Sequence, residues 1–449
     1  MSDNETNTEA VDENKLIHQR REKLQEIRQQ GNAFPNDFRR TAFANELHAE
    51  FDEQSKEAIT KANRIVSVVG RVIRMRGPFI VLLDGSGEIQ LYINFKNLDE
   101  VKNKEIKSWD LGDIVAANGE VFQTGKGELS VRISEVRLLT KSLRPLPDKH
   151  KGLTDTEVRY RQRYVDLIAN EEVRETFVIR SKIVDAIRRF MNADNFMEVE
   201  TPMLQTIPGG ATARPFVTHH NALDQDMYLR IAPELYLKRL VVGGFERVYE
   251  FAINFRNEGL DPSHLPEFMM LEFYASYWNY EDLMDFTEKM IKKVIQETSG
   301  TLKIQHQGKT IDFSGEYPRV SMRDLIFKDC GIDIYIEKDL DSLKKAILDK
   351  GIKVKDFDNL GYGNLIDNLY KKVSRPKIIN PIFLINHPVE LSPLARMNDE
   401  NPEIVDRFQL VCNTWEILNA YSELTDPVDQ KQRFMQQAEY KTQGDDEAM

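Results

Sequence analysis

The sequence predicts an α+β protein with two domains, a small β-barrel followed by a larger domain with an antiparallel sheet flanked by helices. Three observations predict this fold class. The chain has 449 residues, more than one hydrophobic core usually organises. Short β-rich runs separated by glycine-containing turns occupy residues 64–139. The remaining chain mixes helical periodicity with long alternating segments, which is typical of helices packed outside a sheet.

Four segments follow from these patterns. Residues 1–60 hold an acidic tail and an exposed amphipathic helix, predicted from about Glu13 to a stop at Gly31. Residues 61–142 have the size and strand content of an OB-fold barrel. A Pro-rich linker spans residues 143–170, and the larger domain spans residues 171–449.

Composition and charge exclude several classes of protein. Charged residues make up 30% and apolar residues 41%, an ordinary balance for a folded soluble chain. There is neither a membrane-length apolar run nor a signal peptide, so we expect a cytoplasmic protein without a membrane partner. A net charge of -12 argues against indiscriminate coating of nucleic acid. The two cysteines, Cys330 and Cys412, suggest neither a disulfide framework nor a zinc site.

A predicted hairpin in ERVYEFAINFRNEGLDPSHLPEFMMLEFY carries charged groups. Alternation places Arg256 and Glu258 on one face at the end of its first strand, and Phe268, Glu272 and Tyr274 on one face of its second. The guanidinium of Arg256 suits a phosphate and a carboxylate together, and Phe268 suits stacking on a purine. The competing interpretation is that Arg256 and Glu258 form an ordinary surface pair.

Carboxylates recur where a cationic substrate would need them, at Glu234, Glu272 and Glu423. Three buried acids without a cation would be costly. In WEILNAYSEL, Asn419, Tyr421 and Glu423 share one predicted strand face. Glu416 has the opposite parity, so it joins that face only through a bulge and is otherwise an outward surface charge.

These segments resemble the class II lysyl-tRNA synthetases in their order, residue types and spacing along nearly the whole chain. RSKIVDAIRRFMNADNFMEVETP resembles motif 1, and VYEFAINFRNEG with HLPEFMMLEFY resembles motif 2. APELYLKRL and NAYSEL resemble the segments of the lysine pocket, and LRPLPDKHKGLTDTEVRYRQRYVDL resembles the linker. The resemblance implies ATP-dependent ligation of lysine to tRNA through a lysyl-adenylate, by a homodimer joined through the motif 1 helix.

The resemblance also assigns roles by position. It implies that Arg256 is catalytic and binds the lysine carboxylate and the ATP α-phosphate, with Glu258 on the adenine amino group, Phe268 stacked on adenine and His264 near the terminal phosphates. The implied lysine-binding residues are Gly210, Glu234, Glu272, Tyr274, Asn419, Tyr421 and Glu423. In the barrel, Phe79, Gln90 and Glu128 match anticodon-binding positions, although Phe79 could instead fill the barrel core.

Two departures from the family pattern concern the metal and the chain end. Gln409 stands where a glutamate that binds Mg²⁺ is common, leaving Glu416 as the acidic ligand of both Mg²⁺ and ATP. The chain ends at GDDEAM, before the glycine-rich motif 3, and we expect an incomplete sequence. Two alternatives stay open: a non-catalytic paralogue that binds tRNA or a partner, and an aspartyl- or asparaginyl-tRNA ligase.

Overall fold

The chain divides into two units, residues 1–175 and 176–449. The structure is a computed structural model that describes residues 2–147, 153–211, 213–259, 261, 264–358, 360–392 and 394–442, with side chains described between residues 14 and 435. Part of the predicted linker, residues 148–152, and the final GDDEAM lie outside the described residues. Within the described part of the chain, no helix has the length and apolar character needed to span a membrane.

The first unit contains helices and one barrel. Its helices are α1 (Ser2–Gln30), α2 (Ala44–Phe51), α3 (Lys56–Ala62), α4 (Glu100–Ser108), α5 (Thr156–Arg161) and α6 (Arg163–Ala169), with a 3-10 turn at Phe95–Asn97. Its strands are β1 (Ile65–Arg76), β2 (Phe79–Leu83), β3 (Glu88–Tyr92), β4 (Ile114–Gln123) and β5 (Leu129–Thr140). The predicted OB-fold is confirmed, because these strands close in the order β1-β2-β3-β5-β4.

Helix α1 begins at Ser2, well before the Glu13 that apolar periodicity predicts. Residues 2–30 contain neither glycine nor proline, so the helix continues without a break as far as Gly31. Barrel closure needs glycine at residue 119, where a Cβ would lie 2.2 Å from the carbonyl oxygen of Arg132 on the paired strand. The barrel core is apolar and includes Val68, Leu82, Leu91, Val115 and Val131.

The second unit begins within α7 (Glu171–Ala193). Its further helices are α8 (Glu234–Val242), α9 (Tyr280–Ser299), α10 (Met322–Cys330), α11 (Leu340–Asp349), α12 (Tyr362–Val373) and α13 (Pro427–Thr442), with 3-10 turns at Arg375–Lys377 and Val389–Leu391. Its strands are β6 (Met197–Glu198), β7 (Leu204–Gln205), β8 (Val217–His220), β9 (Gln225–Leu229), β10 (Arg247–Phe255), β11 (Glu267–Ala275), β12 (Lys303–His306), β13 (Lys309–Asp312), β14 (Arg319–Ser321), β15 (Ile382–Pro388), β16 (Ile404–Cys412) and β17 (Trp415–Tyr421).

Two sheets of the second unit position the candidate site. One has the order β11-β10-β6, and the other has the order β14-β15-β16-β17. The predicted α+β class is confirmed, but the sheets are mixed, because β6 pairs parallel to β10 and β14 pairs parallel to β15. A parallel pair needs a long crossover, and α10, α11 and α12 supply the one between β14 and β15. Phe190, Phe196, Tyr249 and Phe286 pack α7 and α9 against the first sheet.

Candidate active site and nucleic-acid interface

The hairpin β10–β11 forms the floor of the candidate site. Its register pairs Glu250 with Glu272 and Asn254 with Phe268, so these side chains lie on one face. The predicted strand VYEFAINF ends where β10 ends, at Phe255, so the alternation carried on to Arg256 and Glu258 lies beyond the strand. The amide of Arg256 donates to the carbonyl of Pro266 at 2.8 Å, but Pro266 has no N–H to return, so the ladder stops there.

Arg256 is held over an aromatic ring with part of its guanidinium unused. Its guanidinium carbon lies 5.1 Å from the centroid of the Phe268 ring. Its Nε is buried and has no hydrogen-bond partner among the described residues. A buried donor without a partner is costly, and an anionic ligand would satisfy it. Arg256 and Phe268 therefore lie side by side, with the guanidinium held over the aromatic ring.

Glu258 and His264 lie at the exposed tip of the hairpin. The imidazole Nδ1 of His264 is 2.7 Å from a carboxylate oxygen of Asp261. The tip includes Pro262, which lies outside the described residues. The structure thus places both residues beside the end of β10, and neither contacts the Arg256 side chain through a hydrogen bond within the described part of the chain.

Three carboxylates come together from three elements. Glu234 is the first residue of α8 and is buried, and Glu272 lies on β11. Glu423 was predicted on the last strand, but β17 ends at Tyr421. After it the backbone pairs with a different segment, and Glu423 forms an isolated bridge with Ala395.

Two tyrosines each donate a hydrogen bond to one of these carboxylates, and the five side chains together are called the acidic pocket below. The hydroxyl of Tyr421 donates to Glu234 at 3.2 Å, and the hydroxyl of Tyr274 donates to Glu272 at 3.1 Å. Burial, and then the nearby carboxylates, raise the pKa of both tyrosines well above the usual value, so both hydroxyls remain protonated donors. The sequence prediction that Glu234, Glu272, Tyr274, Tyr421 and Glu423 lie near one another agrees with this geometry.

The pocket carries surplus negative charge. Burial, and then the Glu234 carboxylate, raise the pKa of Glu272 to about 7. Burial also raises the pKa of Glu423, although Lys238 acts in the opposite direction. A ligand ammonium would relieve this repulsion, so the pocket is suited to a cation.

Sequence reasoning missed Lys238, whose ammonium lies between two of these carboxylates. Its Nζ is 2.6 Å from Glu234 and 2.8 Å from Glu423. The available signal was the four-residue spacing of Glu234 and Lys238, which ordinarily indicates only a pair on a helix surface.

A glycine lets the loop before β8 approach this pocket. Gly210 has a φ of +87°, and a Cβ on it would lie 2.8 Å from the Cβ of Glu234. Any side chain here would therefore strain the backbone and press against Glu234. The predicted place of Gly210 at the pocket agrees with this close approach.

A β-bulge brings Glu416 to the face that carries Asn419. The register shifts between Leu410 and Val411, so that Leu410 pairs with Leu418 and Val411 pairs with Glu416. Gln409, paired with Asn419, donates from Nε2 to Glu416 at 2.9 Å. Asn419 in turn accepts a hydrogen bond from Arg407 at 2.8 Å. The bulge therefore gives Glu416 the face of Gln409 and Asn419, as the alternative with a bulge requires, although its side chain is also exposed there.

The donors at Glu416 fit an Mg²⁺ site that is shared with substrate phosphates better than a site built from protein ligands alone. Among the described residues, no group of three or more His, Cys, Asp or Glu could hold a metal ion. Glu416 offers one carboxylate, and Gln409 beside it adds an amide without charge. Mg²⁺ commonly takes one or two protein carboxylates and completes its shell with water and substrate phosphates, which fits this pair.

A buried ion pair lies on the same face of the hairpin as Glu272. Arg230, at 1% exposure, donates to the carboxylate of Glu250 at 2.6 Å. The same guanidinium donates to the carbonyl and hydroxyl oxygens of Thr201, and the Thr201 hydroxyl donates to Glu250 at 2.6 Å. Glu250 is therefore neutralised locally, and the pocket charge comes from Glu234, Glu272 and Glu423.

The barrel carries a separate aromatic surface. Phe79 pairs with Tyr92, their ring centroids are 5.5 Å apart, and Tyr92 lies 5.8 Å from Phe122. All three rings are partly exposed, so the interpretation of Phe79 as core filling is wrong; β2 buries Ile80 and Leu82 instead.

The other two predicted barrel residues flank this surface. Gln90 donates to the hydroxyl of Ser130 at 2.9 Å, and Glu128 is exposed in the β4–β5 turn. Sequence reasoning missed Tyr92, Phe122 and Arg132, whose guanidinium carbon lies 4.6 Å from the Phe122 centroid. Stacked rings beside a cation are typical of surfaces that bind single-stranded nucleic acid.

Comparisons with known proteins match both units. Residues 155–449 match the family described as tRNA synthetases class II (D, K and N). Residues 66–139 match the family described as OB-fold nucleic acid binding domain. Both matches agree with the sequence interpretation of a barrel followed by a synthetase domain.

Curated relatives align along almost the whole chain. A lysine--tRNA ligase of Pseudomonas syringae pv. syringae is 51% identical over 100% of this chain and 90% of the relative. A lysine--tRNA ligase of Actinobacillus pleuropneumoniae serotype 7 is 52% identical over 99% of this chain and 90% of the relative. One from Hahella chejuensis is 49% identical over 99% of this chain and 90% of the relative. With its hairpin arginine, acidic pocket and barrel in place, this chain belongs to the class II tRNA synthetases of the D, K and N family.

Proposed function

We propose that this chain ligates lysine to tRNA in two steps that consume ATP. In the first, a lysine carboxylate oxygen attacks the α-phosphorus of ATP, forming lysyl-adenylate and releasing pyrophosphate. In the second, a ribose hydroxyl of tRNA attacks the adenylate carbonyl, forming the ester and releasing AMP. The observation that carries the proposal is the convergence of Glu234, Glu272 and Glu423 near Arg256, matching a substrate with two ammonium groups and one carboxylate.

Arg256 is the proposed catalytic residue. Its orphaned Nε and its position over Phe268 support a role in holding the lysine carboxylate against the α-phosphate while adenine stacks on the ring. Neither step needs a protein nucleophile, so positioning and charge neutralisation supply the acceleration.

The remaining site residues have supporting roles in this proposal. Glu258 would accept from the adenine amino group, and His264 would approach the terminal phosphates. Gly210, Tyr274, Asn419 and Tyr421 would complete the lysine pocket. Mg²⁺, held by Glu416 with Gln409 beside it, would neutralise phosphate charge.

We also infer that the barrel binds the anticodon of tRNA through Phe79, Gln90 and Glu128, on the strength of its partly exposed rings. A homodimer joined through α7 is supported by the exposed apolar residues Phe177, Val178 and Ile179. Sedimentation equilibrium tests the dimer, and a monomer at micromolar concentration contradicts it.

Amino-acid-dependent ATP–pyrophosphate exchange tests the substrate. We expect exchange with lysine and none with aspartate or asparagine, because neither brings a second ammonium into a pocket of three acids. Exchange with aspartate or asparagine but not lysine would refute the proposal. Exchange with none of the three, together with retained tRNA binding, would favour a non-catalytic tRNA-binding role.

A further inference from the structure

The ammonium of Lys238 joins two sides of the acidic pocket. Lys238 lies one turn after Glu234 on α8, whereas Glu423 follows β17. Its Nζ reaches Glu234 at 2.6 Å and Glu423 at 2.8 Å, and its side chain is 26% exposed. The bridge therefore links a helix to a distant strand end through the two carboxylates that border the pocket.

We propose that Lys238 is a positioning residue that fixes Glu234 and Glu423 and sets the pocket charge to match a substrate with two ammonium groups. This inference rests on the proposed lysine specificity. Lys238 itself makes no proposed contact with the reacting atoms, and acts through the two carboxylates that it holds.

A charge inventory supports the match. Three carboxylates face the pocket, those of Glu234, Glu272 and Glu423. Glu250 is paired with Arg230, Tyr274 and Tyr421 are neutral, and Arg256 is available for a substrate carboxylate. Arg407 and Glu416, on the face of Asn419, carry opposite charges that act on each other. Lys238 contributes one positive charge, so the three ionised carboxylates leave two uncompensated negative charges. The α- and ε-ammonium groups of a lysine molecule would neutralise both.

Contact with a second carboxylate, that of Glu423, distinguishes this bridge from an ordinary helix pair. Burial disfavours the charged form of Lys238, but Glu234 and Glu423 raise its pKa above the usual value. Lys238 therefore stays charged across the physiological range. Removing that charge would leave a third uncompensated carboxylate and raise the pKa of Glu423 further.

The chain offers a matched control on another helix. Lys292 forms the same i,i+4 pair with Glu288 on α9, with a side chain 25% exposed, away from the pocket carboxylates. Lys292→Met therefore removes an equivalent helix pair without changing pocket charge. Lys238→Arg keeps the charge, Lys238→Gln keeps a hydrogen-bond donor without it, and Lys238→Met removes both.

The experiment measures lysine-dependent ATP–pyrophosphate exchange with this chain and its variants. For Lys238→Met and Lys238→Gln we expect KM for lysine to rise about tenfold or more, with KM for ATP within about twofold. The acid limb of kcat/KM for lysine should gain a contribution from Glu423 and move to higher pH, since that carboxylate protonates at higher pH without the Lys238 cation. Lys238→Arg should keep the acid limb at the pH found for the unaltered protein. Lys292→Met should match the unaltered protein in both measurements.

Three outcomes overturn the inference. The first is a Lys238→Gln variant whose lysine KM and acid limb match those of Lys292→Met. The second is tighter lysine binding in that variant, which would make Lys238 a competitor of the substrate. The third is an equal increase in lysine KM in the Lys238→Gln and Lys238→Arg variants, which would indicate that the shape of the side chain matters rather than its charge. Failure of the unaltered chain to exchange with lysine would instead contradict the proposed function.

Discussion

The Nε2 of Gln409 donates to the carboxylate of Glu416 at 2.9 Å, across a bulge that shifts the β16–β17 register. This bond gives one carboxylate oxygen an amide partner and keeps the local negative charge at one. Regular alternation would place Glu416 on the opposite face from Asn419. The bulge turns Glu416 toward Gln409, on the face of Asn419.

Gln409→Glu should increase the affinity of this site for Mg²⁺. A second carboxylate beside Glu416 would repel it without a cation and favour Mg²⁺ when the ion is present. We expect a lower Mg²⁺ concentration for half-maximal exchange, and a Tm that rises with Mg²⁺ more than in the unaltered protein. Differential scanning calorimetry without nucleotide measures the second effect. Identical Tm responses in the two proteins would contradict the shared site.

Arg256→Ala should abolish most exchange while leaving the fold intact. Loss of one preorganised charge donor typically costs about 10² to 10³ in rate. Arg256→Lys keeps the charge but loses the planar fork, so we expect partial activity. Steady-state exchange with circular dichroism as the folding control measures both. Full exchange by the Ala variant would remove Arg256 from the mechanism.

The pH dependence of lysine use should reflect Glu272, whose pKa is raised to about 7. Lysine binding needs the ionised carboxylate, so kcat/KM should fall as pH drops through about 7. In the protein without substrate, stability changes with pH in the opposite direction to kcat/KM. The folded state holds this proton between the unfolded pKa and about 7, so the Glu272 contribution to stability decreases as pH rises through that window.

Glu272→Gln separates these two effects. It should raise KM for lysine and remove the decrease in stability that Glu272 causes with rising pH, because the amide does not titrate. Urea denaturation at several pH values measures the second effect. An unchanged dependence of unfolding free energy on pH would show that Glu272 titrates normally.

Arg230→Met should destabilise the second unit by about 3–5 kcal/mol, because Glu250 would remain buried without its cation. The double variant Arg230→Met with Glu250→Leu should recover most of that loss, since no buried charge remains. Urea unfolding free energies of the single and double variants provide the test. Equal losses in both would show that shape, rather than charge, decides the effect.

Phe79→Leu should weaken tRNA binding without changing lysine-dependent exchange, because that half-reaction needs no tRNA. Loss of a stacked base costs about 1–3 kcal/mol, or roughly five- to 150-fold in Kd. Filter binding measures tRNA affinity, and exchange serves as the internal control. Leu82→Ala, which alters the barrel core, should instead lower the Tm. Unaltered tRNA affinity in Phe79→Leu would contradict the proposed surface.

Sequence patterns predicted the barrel, the hairpin and the shared face of Asn419 and Tyr421, because alternation and turn residues are local signals. They carried strand alternation past Phe255 to Arg256, where Pro266 ends the ladder, and extended the last strand to Glu423, where the pairing partner changes. They also missed the pairs of Lys238 with Glu423 and of Arg230 with Glu250, which join different elements. Tertiary partners of this kind leave no periodic trace in a single sequence.

The bond between Tyr421 and Glu234 joins residues 187 positions apart in the chain. The β10–β11 hairpin can form from near neighbours, whereas this contact must await closure of a long loop and the packing of α10, α11 and α12. We therefore expect the substrate pocket to mature late in folding, after its floor exists. A nascent chain would acquire Arg256, the arginine that we propose binds nucleotide, well before it could discriminate between amino acids.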